Sequence, residues 1–392
     1  MTISYSGNFC RLLFRWKGSL WRSVWKELFL YVALFYAIKI FYLYGIDRLA
    51  DDPDDREMYR SKFEALCRMF NEYTKLIPLT FLLGFYVSNV VSRWWKQFEC
   101  LSWPEDLLSL LCVVIHANDE KSQRRRHTIA RYINLAAVLV WRDVSKKIRL
   151  RFPNVSSLVS AGLLTENEYE ALENLHEECE TIRWMAPIHW IQQLLTKEEK
   201  ENSPPVAFLN NFMTELKTFR QSLRKLYSYD WVCVPLVYTQ VTALATYSFF
   251  FFSLFGRQVL HPEVKAGKQI DSLVPIFTIF QFMFLVGWFK VGQDLMRPFG
   301  LDDDDIELNY ILDRNFETSF AIVNRLQTAE FEPDEDPIWK NREGKLEPLP
   351  HSPYSRQLVE HRPKLHSFVK VDDEDKAASC ITSMRRKRHI YW

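Results

Sequence analysis

Four stretches of the chain are apolar over a length suited to crossing a bilayer. Residues 28–44 are apolar apart from Lys39, and residues 76–91, 231–255 and 273–289 contain no Asp, Glu, Lys or Arg. A 17-residue helix covers about 25 Å, slightly under the ~30 Å of a hydrocarbon core, so the shorter stretches need polar extensions or packed neighbours. Between the second and third stretches the pattern changes. Apolar residues recur at three- and four-residue spacing in 129–144, 165–179 and 208–227, with Pro104 placed to open a further helix, which predicts amphipathic helices sharing a core. Beyond about residue 328 the chain turns polar and proline-rich and predicts a mobile tail. The expected fold is an all-α membrane protein with four transmembrane segments and a large helical cytosolic region.

Charge orients these segments. Arg11, Arg15, Lys17, Arg22 and Lys26 precede the first stretch, whereas the connection after it carries Asp47, Asp51, Asp52, Asp54, Asp55 and Glu57. Positive charge stays on the cytosolic side. The long second connection holds Lys121, Arg124, Arg125, Arg126, Lys146, Lys147, Arg149 and Arg151, so it is also cytosolic, and four crossings return the C-terminus to the same side. The expected organisation is a cytosolic N-terminal segment (1–27), a first helical hairpin (28–100) with an acidic external loop (46–75), and a cytosolic helical domain (101–228). A second hairpin (229–293), a cytosolic segment with a helix (294–330) and the tail (331–392) follow. A signal peptide is not expected, because no small-residue cleavage site follows the first stretch.

Composition narrows the function. A net charge of +1 gives no electrostatic footprint for nucleic acid. Seven cysteines without a CxxC pair predict neither a disulfide framework nor a zinc site. HExxH, GxSxG and glycine-rich phosphate loops are absent from the sequence, so it supplies no motif for an enzyme. His116, His127 and His189 lack partners at ligand spacing.

Two constellations remain. Ile77, Phe81 and Phe85 fall four apart on one stripe of the second stretch, after Pro78 at its start and around Gly84. Such a stripe is either packing core or, with several subunits about an axis, a narrow apolar neck that gates by drying out. Asp302, Asp303, Asp304 and Asp305 follow Pro298-Phe299-Gly300 and precede an amphipathic run. They read either as a solvated helix start or as a calcium site. Calcium takes about six to eight oxygens, and on a helix only the first and fourth aspartate share a face, which singles out Asp302 and Asp305 and leaves the other oxygens to carbonyls and water. The basic run Arg385, Arg386, Lys387 and Arg388 is either a solvated cluster or a contact for anionic lipid.

Several ordered motifs make the chain resemble one known family. They are Met1-Thr2-Ile3-Ser4-Tyr5, Ile77-Pro78 with Gly84-Phe85-Tyr86-Val87, Arg93-Trp94-Trp95, Arg151-Phe152-Pro153, Tyr229-Asp230-Trp231, Pro235-Leu236-Val237-Tyr238-Thr239-Gln240, and Pro298-Phe299-Gly300 with its aspartates. Over most of residues 1–330 the chain is similar to the bestrophins, pentameric calcium-activated chloride channels of animal membranes. The resemblance implies a homopentamer in the plasma membrane that passes chloride and other monovalent anions through an axial pore. Ile77, Phe81 and Phe85 would form its hydrophobic neck, Phe277 and Phe284 would pack behind it, and Val206 or Ala207 would form a cytosolic aperture. It further implies a calcium clasp of the Asp302 and Asp305 side chains with the main-chain carbonyls of Asp294 and Arg297. Arg297 and a shorter stretch between Tyr5 and Phe9 depart from the family pattern. Ser367 matches a phosphorylatable serine of the family's tail. A membrane scaffold regulating another channel and an anion transporter are the alternative readings; Lys39, the lone charge within a predicted span, is the feature a transporter would use.

Overall fold

The computed structural model describes residues 9–49, 52–178, 180–258, 260, 274–329, 332–344 and 352–353. Among these residues there are helices and no strand. The chain divides into two units, Met1–Glu330 and Phe331–Trp392. In the second, a helical turn at Pro337–Lys340 is capped by Asp336, whose carboxylate accepts from the Trp339 amide at 2.7 Å. Ser367 and the basic run 385–388 lie outside the described residues.

Among its described residues the first unit has eleven helices of ten residues or more: α1 (Leu20–Ile40), α2 (Pro53–Leu76), α3 (Leu79–Glu99), α4 (Glu105–Val114), α5 (Glu120–Val144), α6 (Glu166–Glu178), α7 (Ala186–Asn202), α8 (Val206–Trp231), α9 (Leu236–Gly256), α10 (Ile276–Asp294) and α11 (Leu308–Phe320). Two apolar helices are long enough to cross a membrane by themselves, Leu20–Arg48 with 29 residues and Ile276–Asp294 with 19. The other two predicted crossings belong to broken helix pairs. The acidic connection before the second is itself helical, with Pro53 in the first turn and Asp54 and Asp55 placed against the helix dipole. The following Pro78 forces Ile77 out of the helical region, to φ −82° and ψ 112°, and α3 leaves at 42° to α2. Pro235 has the same effect between α8 and α9, which meet at 54°.

The apolar helices α1, α3, α9 and α10 pack together around Tyr31, Phe35, Leu83, Tyr86, Val90, Phe250, Phe282, Val286 and Phe289. At Gly292 a Cβ would lie 2.6 Å from the Tyr86 ring, so only glycine permits this approach of α10 to α3. A second group of helices gathers around α5. Its start is fixed by Asp119, which accepts from the Ser122 amide at 3.1 Å. From Ile129 to Trp141 every residue but Arg131 is buried, with α7, α8 and α11 packed around the helix. An amphipathic stripe is therefore too weak a description of α5. Helices cover it from several sides, and its sequence is apolar on all of them.

Candidate pore stripe and calcium site

Helix α3 has two faces with opposite fates. Leu79, Leu83, Tyr86, Val87 and Val90 are buried against the neighbouring helices. Phe81 and Phe85 are 62% and 59% exposed, and their rings meet edge to face at 4.7 Å. Ile77 stands at the break and is half-buried. The chain thus buries one side of α3 and leaves the aromatic stripe bare.

The other expected pore residues are bare as well. Phe277 and Phe284 on α10 are 73% and 68% exposed, opposite the buried Phe282, Val286 and Phe289. Phe284 stacks near Phe280 at 6.5 Å; among the described residues no ring contact joins Phe277 or Phe284 to Phe81 or Phe85. Val206 and Ala207 open α8 after Pro205, and both are exposed. Lys39 lies 5.9 Å over the Tyr36 ring.

The aspartate run is a turn and not the first turn of a helix. Residues 301–305 form bends and turns, and α11 begins at Leu308. The reason is local competition: the Asp305 carboxylate accepts from the Asp302 amide at 2.6 Å, while the Asp305 amide donates to the Asp302 carbonyl at 3.3 Å. Asp302 and Asp305 are thereby brought together by side-chain bonding, with Asp305 buried and Asp302 exposed.

Burial first, and then the charges of Asp302 and Asp304, push the Asp305 carboxyl up to about 6 against the opposing bond from the Asp302 amide. An acid in that setting is relieved by a cation. Gly300 lets two oxygens draw near: a Cβ there would lie only 2.8 Å from Asp305 Oδ2 and 3.5 Å from the Arg297 carbonyl oxygen, so a carboxylate and a carbonyl converge on the bare glycine. Among the described residues no cluster of three or more His, Cys, Asp or Glu side chains is arranged for a metal. These residues fit calcium held mostly by main-chain and water oxygens, and they do not fit a site made of side chains alone.

The turn is tied to the first helix, which sequence reasoning missed. Arg22 pairs with Asp303, Ser23 donates to Asp294 at 3.3 Å, and Glu27 accepts from Lys290 at 2.6 Å. Lys147, just beyond α5, pairs with Glu307 at 2.9 Å. A run of bases before the first span reads as a topology signal, and only the packing of α1 on α10 gives Arg22 a particular acid.

Comparison with known proteins agrees with this architecture. Residues 1–325 match the family model described as Bestrophin, RFP-TM, chloride channel. Bestrophin homolog 13 of Caenorhabditis elegans is 60% identical, over 100% of both chains. Bestrophin-1 of Macaca fascicularis is 39% identical over 92% of this chain and 61% of its own length, and human Bestrophin-1 is 38% identical with the same coverage. A solved bacterial bestrophin homolog from Klebsiella pneumoniae superimposes with a TM-score of 0.55 over 76% of this chain and 98% of its own, at 14% identity, which bears on the fold alone. A membrane-embedded, all-helical chain with this sequence belongs to the bestrophin family of chloride channels.

Proposed function

We propose that this chain is one subunit of a homopentameric, calcium-opened chloride channel of the plasma membrane, with both termini cytosolic. The observation that carries the reading is the bare aromatic stripe of α3, whose Phe81 and Phe85 protrude from the uncharged first part of a helix (79–91) that buries its other face. Five such stripes about an axis make a neck of Ile77, Phe81 and Phe85 that sheds water when closed, because apolar walls in a narrow bore cannot replace the hydrogen bonds of water. Phe277 and Phe284 move behind the neck as it opens, and Val206 or Ala207 narrows the cytosolic end. Anions are favoured by the partly positive edges of the rings, and those with weak hydration lose least on entering.

Calcium at the 302–305 turn acts as the switch. Its charge would be held by Asp305 and Asp302, with the carbonyls of Arg297 and Asp294 completing the oxygen set. The link from the turn to the pore runs through Arg22, Ser23 and Glu27 on α1, which meet Asp303 in the turn and Asp294 and Lys290 on α10. Purified protein in liposomes tests the reading: with separate chloride and potassium gradients, the reversal potential should follow chloride and the current should rise with calcium on the cytosolic face. A potential that follows potassium rejects an anion channel, and a chloride current indifferent to calcium rejects the switch alone.

A further inference from the structure

A second site lies where α8 ends, and it uses none of the residues of the stripe or the aspartate turn. A cavity of about 800 Å³ opens between the end of α5, the short helical segment Glu180–Met185 and the last turn of α8. Three aromatic rings stand along its wall in series: Trp184 lies 5.7 Å from Tyr227, and Tyr227 lies 6.5 Å from Trp231. Two carboxylates accompany them, Asp143, which accepts from the Tyr227 hydroxyl at 2.5 Å, and Asp230. Three guanidinium groups complete the lining. Arg142 is held by the carbonyls of Phe152 and Pro153, and Arg183 reaches Glu173 at 3.6 Å while its Nε is buried without a partner. Arg224 makes no ion pair among the described residues.

The lining carries both signs of charge, so it suits neither a simple anion nor a simple cation. Aromatic faces with carboxylates nearby hold a quaternary ammonium, and guanidinium groups hold a phosphate. Both needs are met by one group, phosphocholine. Location adds a second argument. Trp231 is 72% exposed, Val232 is 68% exposed, and the uncharged α9 begins at Leu236, so the mouth of the cavity sits where the chain leaves the cytosolic helices for the apolar span. An exposed Trp at that level is typical of the headgroup zone of a bilayer.

We propose that this cavity binds a phosphocholine group, with the ammonium against Trp184, Tyr227 and Trp231 and the phosphate against Arg224 and Arg183. The proposal does not depend on the pore reading. The group can come from a bilayer lipid or from a soluble phosphocholine, and the test separates them. The purified full-length protein in detergent is examined by native mass spectrometry with dioleoylphosphatidylcholine, with dioleoylphosphatidylglycerol and with phosphocholine alone. The choline lipid should be retained over the glycerol lipid by about fivefold, the size of one good cation–π contact. Trp231→Ala should remove that preference, and Arg224→Gln should weaken both lipids by roughly tenfold, as loss of a charge-assisted bond does. Both side chains are exposed, so both variants keep the fold. Retention of the lipid without binding of phosphocholine assigns the group to the bilayer, and equal binding of phosphocholine assigns it to solution. Equal retention of the two lipids by the wild type, or unchanged retention in both variants, overturns the proposal.

Discussion

The helices gathered around α5 finish their own core, and the apolar spans do not. Around α5 the apolar side chains are closed over by neighbours of the same chain, with Trp141 fully buried. Even the charges there are answered internally. Arg126, with no exposure, donates to the carbonyls of Ile115 and Ala117, and Arg131 grips Glu168 with two bonds of 2.6 and 2.7 Å while Tyr132 adds a third at 2.6 Å. Among the spans, by contrast, Phe81, Phe85, Phe277 and Phe284 point away from the chain's own core. A region that buries its rings spends them on stability; a region that leaves them bare keeps them for whatever covers it, lipid or further copies of the chain.

The sharpest way to break this contrast is to remove a ring from each side of it. Trp141→Ala should cost about 3–5 kcal/mol, because the surrounding helices cannot close over so large a void. Thermal unfolding of the detergent-solubilised protein measures this, and a loss under about 1 kcal/mol would mean that the core around α5 is looser than it looks.

Removing an internal charge should have the next largest effect. Burial would raise the Glu168 carboxyl, but Arg131, the Tyr132 hydroxyl and the Thr165 amide outweigh that and hold it at about 2. Because this lies below the ordinary value of 4.5, the stabilisation is complete above that value and fades as the pH falls through it toward 2. Glu168→Gln should therefore lower stability by roughly 2 kcal/mol at neutral pH, with the gap to wild type narrowing below 4.5 and closing only as the pH approaches 2. A gap that stays constant with pH would show that the bonds, and not the charge, matter.

The aspartate turn stands between the two regimes, being internally bonded yet the place where we propose that calcium binds. Asp305→Ala should shift calcium activation on the order of 10- to 100-fold without altering which ions pass, read from currents at graded calcium. The smallest change in stability belongs to the bare stripe. Phe81→Ala should move the melting temperature by less than about 0.5 kcal/mol equivalent. Combined with Ile77→Ala and Phe85→Ala, it should leave current flowing without calcium. If the triple variant still closes, the neck is elsewhere.

Some of this was legible residue by residue. The uncharged runs around 231–255 and 273–289 announce apolar helices because exposed backbone in a bilayer has no other way to be satisfied. The proline at 78 marks the helix break at Ile77. The acidic stretch 53–76 was less transparent, since its charges suggest a solvated connection, yet its helix packs along α9 closely enough that a Cβ on Gly256 would come within 2.8 Å of the Asn71 backbone. Periodicity also made Asp302 and Asp305 neighbours by assuming a helix; they are neighbours through a carboxylate-to-amide bond that no spacing rule contains.

By itself the sequence determined that the chain enters the membrane, where its apolar helices lie, and that it is a bestrophin, because these follow from local polarity and from ordered motifs. Only the tertiary structure decided which side of each apolar helix is covered. Spacing alone leaves Leu83 and Phe81 equally apolar, but the packing of α10 and α9 against one face of α3 buries the first and leaves the second bare. It likewise decided that Asp305 alone of four aspartates is buried, and that Trp184, Tyr227 and Trp231, from two separate segments, share one wall. Both are contacts between residues whose distance along the chain says nothing about their distance in space.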